Sequence, residues 1–251
     1  MSAPRAIALC QCFNGALEFQ AGNWGEAEKA LGESIELYRS IGAASGEALA
    51  CQRLGVLQTA KGQLEEGWIT LEEGAVVAER AVMRAHCLTR IYAAMARNRL
   101  EANDVEAADQ ALAAGLAMSE RHGHCATCDA LLLPVAVSVR LAQEDLAAAE
   151  SFHQQLEQAA QEYGSRTWLA LAQQSKGEVT AAAGDLAQAL VCYQDACHKF
   201  SIANYSYEAA RCLDQIASLY YRRNGQDDTA KAQAARSKAH QIFQQLGGLD
   251  I

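Results

Sequence analysis

Gly22-Asn23-Trp24-Gly25-Glu26-Ala27, followed by Leu31 four residues after Ala27, is the first copy of a template that fixes the architecture. It returns as Gly62-Gln63-Leu64 with Gly67 and Leu71, and as Asn103-Asp104-Val105 with Ala108 and Leu112. Glu144-Asp145-Leu146 with Ala149, and Gly184-Asp185-Leu186 with Ala189 and Tyr193, follow the same template. Asn224-Gly225 with Ala232 and Ala239 is a looser copy. A spacing of roughly 40 residues lies in the range where self-similarity means stacked repeats. Glycine or asparagine can end one helix in the left-handed conformation, and the Asn or Asp after it can cap the next. Apolar residues recur at helical spacing on both sides, as in Ala27, Ala30, Leu31, Ile35 and Tyr38. Each unit is therefore a helical hairpin.

Working outward, the pattern predicts about twelve helices. The first of each pair falls near 3–21, 44–61, 84–102, 125–143, 166–183 and 206–223. The second falls near 24–41, 64–82, 104–121, 145–163, 185–203 and 227–246. The expected architecture is an all-α, right-handed superhelical solenoid of six hairpins. It forms one repeat domain over 1–251, with units near 3–42, 43–82, 83–123, 124–164, 165–204 and 205–248.

Composition agrees. Of 251 residues, 51% are apolar and two are proline, and aromatic content is low, a profile suited to close-packed helices. The formal net charge of −9 argues against a nucleic-acid or anionic-membrane surface, since both need a positive field. The start, Met1-Ser2-Ala3-Pro4-Arg5, has neither the long apolar run of a membrane span nor a signal-peptide pattern. Nine cysteines without the spacing of a disulfide framework fit a reducing cytoplasm.

These residues resemble the tetratricopeptide repeats over nearly the whole chain. That family places a small residue late in the first helix, here Gly15, Gly55, Ala96 and Gly177. It places alanine at the helix crossing, here Ala27, Ala108, Ala149, Ala189 and Ala232, with Gly67 in the second copy. A large residue four later is Leu31, Leu71, Leu112 or Tyr193. The long units without a proline between them look like the repeats of large bacterial transcriptional regulators and signalling ATPases. The fourth copy departs, with Val137 and His153 at motif positions, as does the sixth, with Tyr220 and Arg236. The chain stops at Leu246-Gly247-Gly248-Leu249-Asp250-Ile251 without a polar capping helix, so self-association or a longer parent protein is expected.

The sharpest chemical signal is His122-Gly123-His124-Cys125-Ala126-Thr127-Cys128. Two thiols at C-x-x-C spacing beside imidazoles supply the ligand types of a tetrahedral zinc site, or a redox pair. Cys87, with His86 beside it, lies one repeat earlier at the level of Cys128, which makes six candidates: His86, Cys87, His122, His124, Cys125 and Cys128. Small thiols also pack well at alanine-rich junctions, so the structural reading stands beside the chemical one. Zinc is the one cofactor these residues suggest. Pro134, inside Leu131-Leu132-Leu133-Pro134, should remove a helical hydrogen bond close by.

The resemblance implies that the first helices line a concave binding face. The projected positions are Phe13, Phe19, Gln52, Arg53, Arg90, Arg97, Gln174, Glu178, Asp214 and Tyr221. Arg53, Arg90 and Arg97 would form a basic strip suited to an acidic or C-terminal peptide, although a solvated charged face gives the same pattern. Trp68 and Leu190 stand where other copies carry Glu28, Asp109, Glu150 and Gln233, so both are expected to be exposed contacts, suited to homo-oligomer formation. Phosphate-loop, H-E-x-x-H and G-x-S-x-G patterns are absent, and no enzyme is expected. The reading is a protein- or peptide-binding module of a bacterial regulatory or signalling system. The alternatives are a metal- or thiol-redox sensor, and a homo-oligomeric scaffold.

Overall fold

Each hairpin corner turns on a residue of positive φ: Gly22 (91°), Gly62 (74°), Asn103 (58°), Glu144 (61°), Gly184 (90°) and Asn224 (50°), with Asp227 (63°) a second one in the last corner. A Cβ is crowded in that region, which is why glycine and asparagine recur there. The computed structural model describes residues 3–247. Among these, twelve α-helices and no strands form. They are α1 (Ala3–Ala21), α2 (Trp24–Ser40), α3 (Ala44–Ala60), α4 (Leu64–Ala78), α5 (Arg84–Glu101) and α6 (Val105–His122). The chain continues with α7 (Ala126–Ala142), α8 (Leu146–Tyr163), α9 (Arg166–Ala182), α10 (Leu186–Ile202), α11 (Ser206–Arg223) and α12 (Asp228–Leu246). The C-terminal stretch expected to self-associate lies outside the described residues from Gly248 onward.

Eleven of these helices match the expected spans closely, and α4 does not. It stops at Ala78 instead of 82. Other second helices end on a left-handed Gly42, Gly123, Gly164 or Asn204. Here the corresponding residue is Val82, whose branched side chain disfavours that conformation. The chain unwinds earlier through tight turns, with Arg80 N–H donating to the Val77 carbonyl and Ala81 N–H to that of Ala78. Val82 is left 99% exposed.

Three second helices carry the same N-cap. The carboxylates of Asp104, Asp145 and Asp185 each accept the backbone N–H three residues on, all at 3.0 Å. Such a cap is worth ~0.5–2 kcal/mol. Asn23 was expected to cap α2, but its Nδ2 donates back to Glu18 at 2.7 Å and makes no cap bond.

The crossing of the paired helices follows the template. Ala27, Ala108, Ala149, Ala189 and Ala232 are fully buried, as are Leu71 and Leu112, with Leu31 at 1% and Tyr193 at 3%. A Cβ on Gly15, Gly55 or Gly177 would lie 2.6, 2.5 or 2.7 Å from the Leu31, Leu71 or Tyr193 side chain. Small residues are thus required by contact between helices, and the bulky partner fills the groove beside them. His153, at the groove position of the fourth copy, is buried as well.

The helices cluster into two compact units, one ending at Val135 and the other starting at Ala136. The division falls within α7, one residue past Pro134, and α7 runs through the proline as one helix. In the first unit α3 packs on both α1 and α5, so the first helices of successive hairpins lie side by side and form one face. In the second unit Leu190 of α10 joins Ala209, Cys212, Ile216 and Leu219 of α11 in one buried cluster. Its expected exposure is therefore corrected: Leu190 is 4% exposed, because the following hairpin covers that side of α10. No described helix is long and apolar enough to cross a membrane.

Candidate functional site

Three side chains expected to carry chemistry converge in the first unit. Cys125 immediately precedes α7, and its carbonyl accepts from the N–H groups of Cys128 and Asp129 at 2.8 and 2.9 Å. That first turn brings both thiols of the C-x-x-C to one side, facing the first turn of α5. There His86 Nδ1 lies 3.2 Å from Cys128 Sγ and 3.7 Å from Cys125 Sγ. All three donor atoms lie within 4.8 Å of one another. Cys128 is buried, while His86 and Cys125 are half-exposed.

The environments of the two thiols differ. Burial pushes the Cys128 thiol up to about 12, helped by its hydrogen bond to Cys125 and the nearby Cys125 charge. Burial also opposes ionisation of Cys125, but hydrogen bonds from the Thr127 hydroxyl, the Cys128 backbone and thiol, and the Thr127 backbone outweigh it and bring that thiol below its ordinary value. His86 is held below its ordinary value by burial and by the Arg90 guanidinium, so its imidazole is neutral near pH 7.

The other three expected members lie elsewhere. Cys87 faces away on α5, fully buried, with its thiol donating to the Ser45 carbonyl at 3.7 Å and pushed up to about 11 chiefly by burial. His124 is exposed, with Nδ1 3.4 Å from Ser119 Oγ and 3.8 Å from Asp129. His122 ends α6 in solvent. Adjacency in sequence to the C-x-x-C did not bring either histidine to the sulfurs: Gly123 at φ 79° turns the chain after His122, and His124 lies toward Ser119 and Asp129.

The arginines lie on the same face. Arg53 Nη1 donates to the Cys12 carbonyl and approaches Cys12 Sγ, both at 2.9 Å, while its guanidinium covers Phe13 at 4.8 Å. Arg90 Nη1 donates to the Thr127 carbonyl at 3.2 Å, and its buried Nε has no hydrogen-bond partner. Burial lowers the Arg90 pKa most, and the charge of Arg53 lowers it further, so the two cations sense each other. Arg97 Nε donates to Glu101 at 2.8 Å. Gln52 is 5% exposed rather than open to solvent, and its Oε1 is unpartnered.

A match to the model of the MalT-like TPR region extends over residues 5–246. The chain belongs to the MalT-like tetratricopeptide-repeat family. No curated protein sequence matches it. Among solved structures, BtubC from P. vanneervenii superposes with a TM-score of 0.57 at 14% identity, over 89% of this chain and 92% of that one. Rap protein complexed with competence and sporulation factor gives a TM-score of 0.75 at 11% identity, over 98% of this chain and 67% of that one. A signal transduction ATPase with a tetratricopeptide repeat sensor, from Pyrococcus horikoshii, gives 0.59 at 14%, over 88% of this chain but 32% of the other. At these identities the likeness is one of fold.

Within this MalT-like region the second-unit positions on the projected face are individually engaged. Glu178 accepts from the Ser138 hydroxyl at 2.8 Å, Asp214 pairs with Arg236 at 3.4 Å, and Arg236 covers the ring of Tyr221 at 5.7 Å. Gln174 is buried. Trp68 is half-buried beneath Arg99, whose guanidinium lies 4.0 Å from its ring, so α5 covers much of the contact expected to be exposed. Sequence reasoning missed Arg99 in that role, and it missed the link from Arg90 to the thiols. The second was legible: Arg90 follows His86 by four residues and shares its helix face. A groove of ≈ 870 Å³ lined by Arg39, Glu47, Ile69, Glu73, Val76 and Arg80 was also missed, because it forms between α4 and the residues that join α2 to α3.

Proposed function

We propose that this chain is a protein-binding regulatory module, and that the α3–α5 face of its first unit holds an acidic segment of the partner. The observation that supports this reading is the Arg53–Arg90 pair. Two guanidinium groups close enough to repel each other lie on adjacent first helices, and among the described residues neither has a carboxylate within ion-pair reach. In a chain of net charge −9 this is a local reversal of sign. Burial leaves Arg90 Nε and Gln52 Oε1 without hydrogen bonds, and unmade bonds at such depth cost about 1–3 kcal/mol each. A carboxylate would satisfy the arginine by a charge-assisted bond, and an amide N–H of the same segment would satisfy the glutamine.

Two proteins of similar fold are described as a complex with competence and sporulation factor and as an ATPase with a repeat sensor, which fits a part that works by binding. Nine free thiols suit a reducing compartment such as the cytoplasm. The test is a fluorescence-polarisation screen of acidic peptides with free C-termini, repeated on Arg53→Glu/Arg90→Glu. Loss of at least ~30-fold in affinity is expected, the low end of ~2–5 kcal/mol for removing a buried charge partner. Circular dichroism checks that the variant remains helical. Unchanged affinity in a folded variant would refute the assignment of this face.

A further inference from the structure

The His86, Cys125 and Cys128 cluster has the geometry of a metal site, and this holds independently of the partner-binding reading. Zinc–sulfur and zinc–nitrogen bonds of ~2.3 and ~2.05 Å at a tetrahedral angle put sulfur and nitrogen ~3.6 Å apart. The observed separations from His86 Nδ1, 3.2 and 3.7 Å, bracket that edge. The three atoms come from the starts of two helices one hairpin apart, Cys125 lying just before α7, so their convergence is tertiary and does not follow from the C-x-x-C turn alone. An imidazole Nδ1 directed at two sulfurs is more than thiol packing requires. The backbone around them is set by α-helical hydrogen bonds at the start of α7 and by the first turn of α5, so the donors stand on rigid elements.

We propose that His86 Nδ1 and the thiolates of Cys125 and Cys128 bind one Zn²⁺, with the fourth tetrahedral corner open to water or to a donor from a bound partner. Two thiolates, one neutral imidazole and soft sulfur donors select zinc over calcium or magnesium, which take oxygen. Binding releases the two thiol protons to solvent, and no oxidation occurs. Neither Cys87, His122 nor His124 takes part, since the first is turned toward Ser45 and the others lie off the cluster. The ion would tie the start of α7 to the start of α5, across the junction of the third and fourth hairpins.

The experiment uses the full chain, purified without an affinity tag and kept reduced, titrated with Co²⁺ as a spectroscopic probe and then with Zn²⁺ against a chromogenic chelator. One equivalent should produce the intense visible bands and sulfur-to-cobalt charge transfer of a tetrahedral thiolate site, bleached by zinc. Cys125→Ser, Cys128→Ser and His86→Ala should each weaken binding at least ~100-fold, since even outer-shell changes at metal sites cost ~10–100-fold. Cys87→Ser and His124→Ala should bind as the parent does. In the unmutated chain, zinc should also slow alkylation of Cys125, mapped by mass spectrometry, while exposed Cys10 stays reactive. Weak octahedral bands, full binding by His86→Ala, or alkylation of Cys125 at the same rate with and without zinc would overturn the proposal.

Discussion

Changing glycine to alanine should have opposite effects at two helical positions, Gly32 of α2 and Gly55 of α3. Both gain the intrinsic advantage of alanine in a helix, about 1 kcal/mol. At Gly32 a Cβ meets nothing within 4 Å, so Gly32→Ala should stabilise by most of that amount. At Gly55 the Cβ would lie 2.5 and 2.8 Å from two carbons of Leu71 and 3.1 Å from the Gly67 carbonyl oxygen. Leu71 is fully buried and cannot swing away, so α3 and α4 must part. Overpacking of this kind costs about 1–3 kcal/mol, occasionally more, and the shortness of two contacts at once places this site at the upper end. Net of the propensity gain, Gly55→Ala should destabilise by ~1–2 kcal/mol. Adding Leu71→Ala, which alone should cost ~2–5 kcal/mol, removes the clash, so the double variant should be less destabilised than the sum by ~1–3 kcal/mol. Urea unfolding followed by circular dichroism measures all four variants against the parent, and hydrogen exchange in α3 and α4 localises the change in a chain whose units need not unfold together. Equal stabilisation by Gly32→Ala and Gly55→Ala, or strict additivity of Gly55→Ala with Leu71→Ala, would refute the argument that helix crossing demands glycine there.

Two further outcomes are expected. Asn98, fully buried, donates from Nδ2 to Thr59 Oγ1 and to the Leu64 carbonyl, each at 2.9 Å, so Asn98→Ala should cost ~1–3 kcal/mol. Asn98→Asp should cost more by the same urea assay, because a second acceptor then faces two acceptors; a milder effect of Asp than of Ala would contradict the donor role. His153 is held below its ordinary value of 6.5 by burial, against the opposing pull of Glu157 and Glu150. The unfolded chain therefore binds a proton that the folded chain refuses, so stability falls as pH drops below ~6.5 toward the lower folded value. His86 is shifted in the same direction. The urea midpoint should fall between about pH 7 and pH 5.5, and His153→Gln should flatten that dependence; an unchanged slope would remove His153 as a source.

The hairpin pattern could be read without coordinates because it depends on short-range rules. Gly22, Gly62, Asn103, Gly184 and Asn224 adopt positive φ where the template places them, and Asp104, Asp145 and Asp185 cap as their spacing implies. The early stop of α4 could have been read too, since Val82 occupies a position that other copies give to glycine or asparagine. The face of each helix was also legible from the period of 3.6 residues, which put Leu31, Leu71 and Leu112 inside. What covered each face was not. Leu190 and Trp68 stand at equivalent sites, yet one is sealed by Cys212 and Ile216 and the other is half-covered by a single arginine, Arg99.

The candidate site divides along the same line. That Cys125 and Cys128 share one side of a turn and that Arg90 shares a face with His86 follows from spacing alone, because these relations are local. That His86 meets both thiols while His122, His124 and Cys87 do not is a matter of how the helices pack. Which imidazole reaches a sulfur depends on how α5 is shifted and rotated against the first turn of α7, which helix packing sets. A repeat sequence carries that quantity only as the sum of many contacts, and no single residue states it.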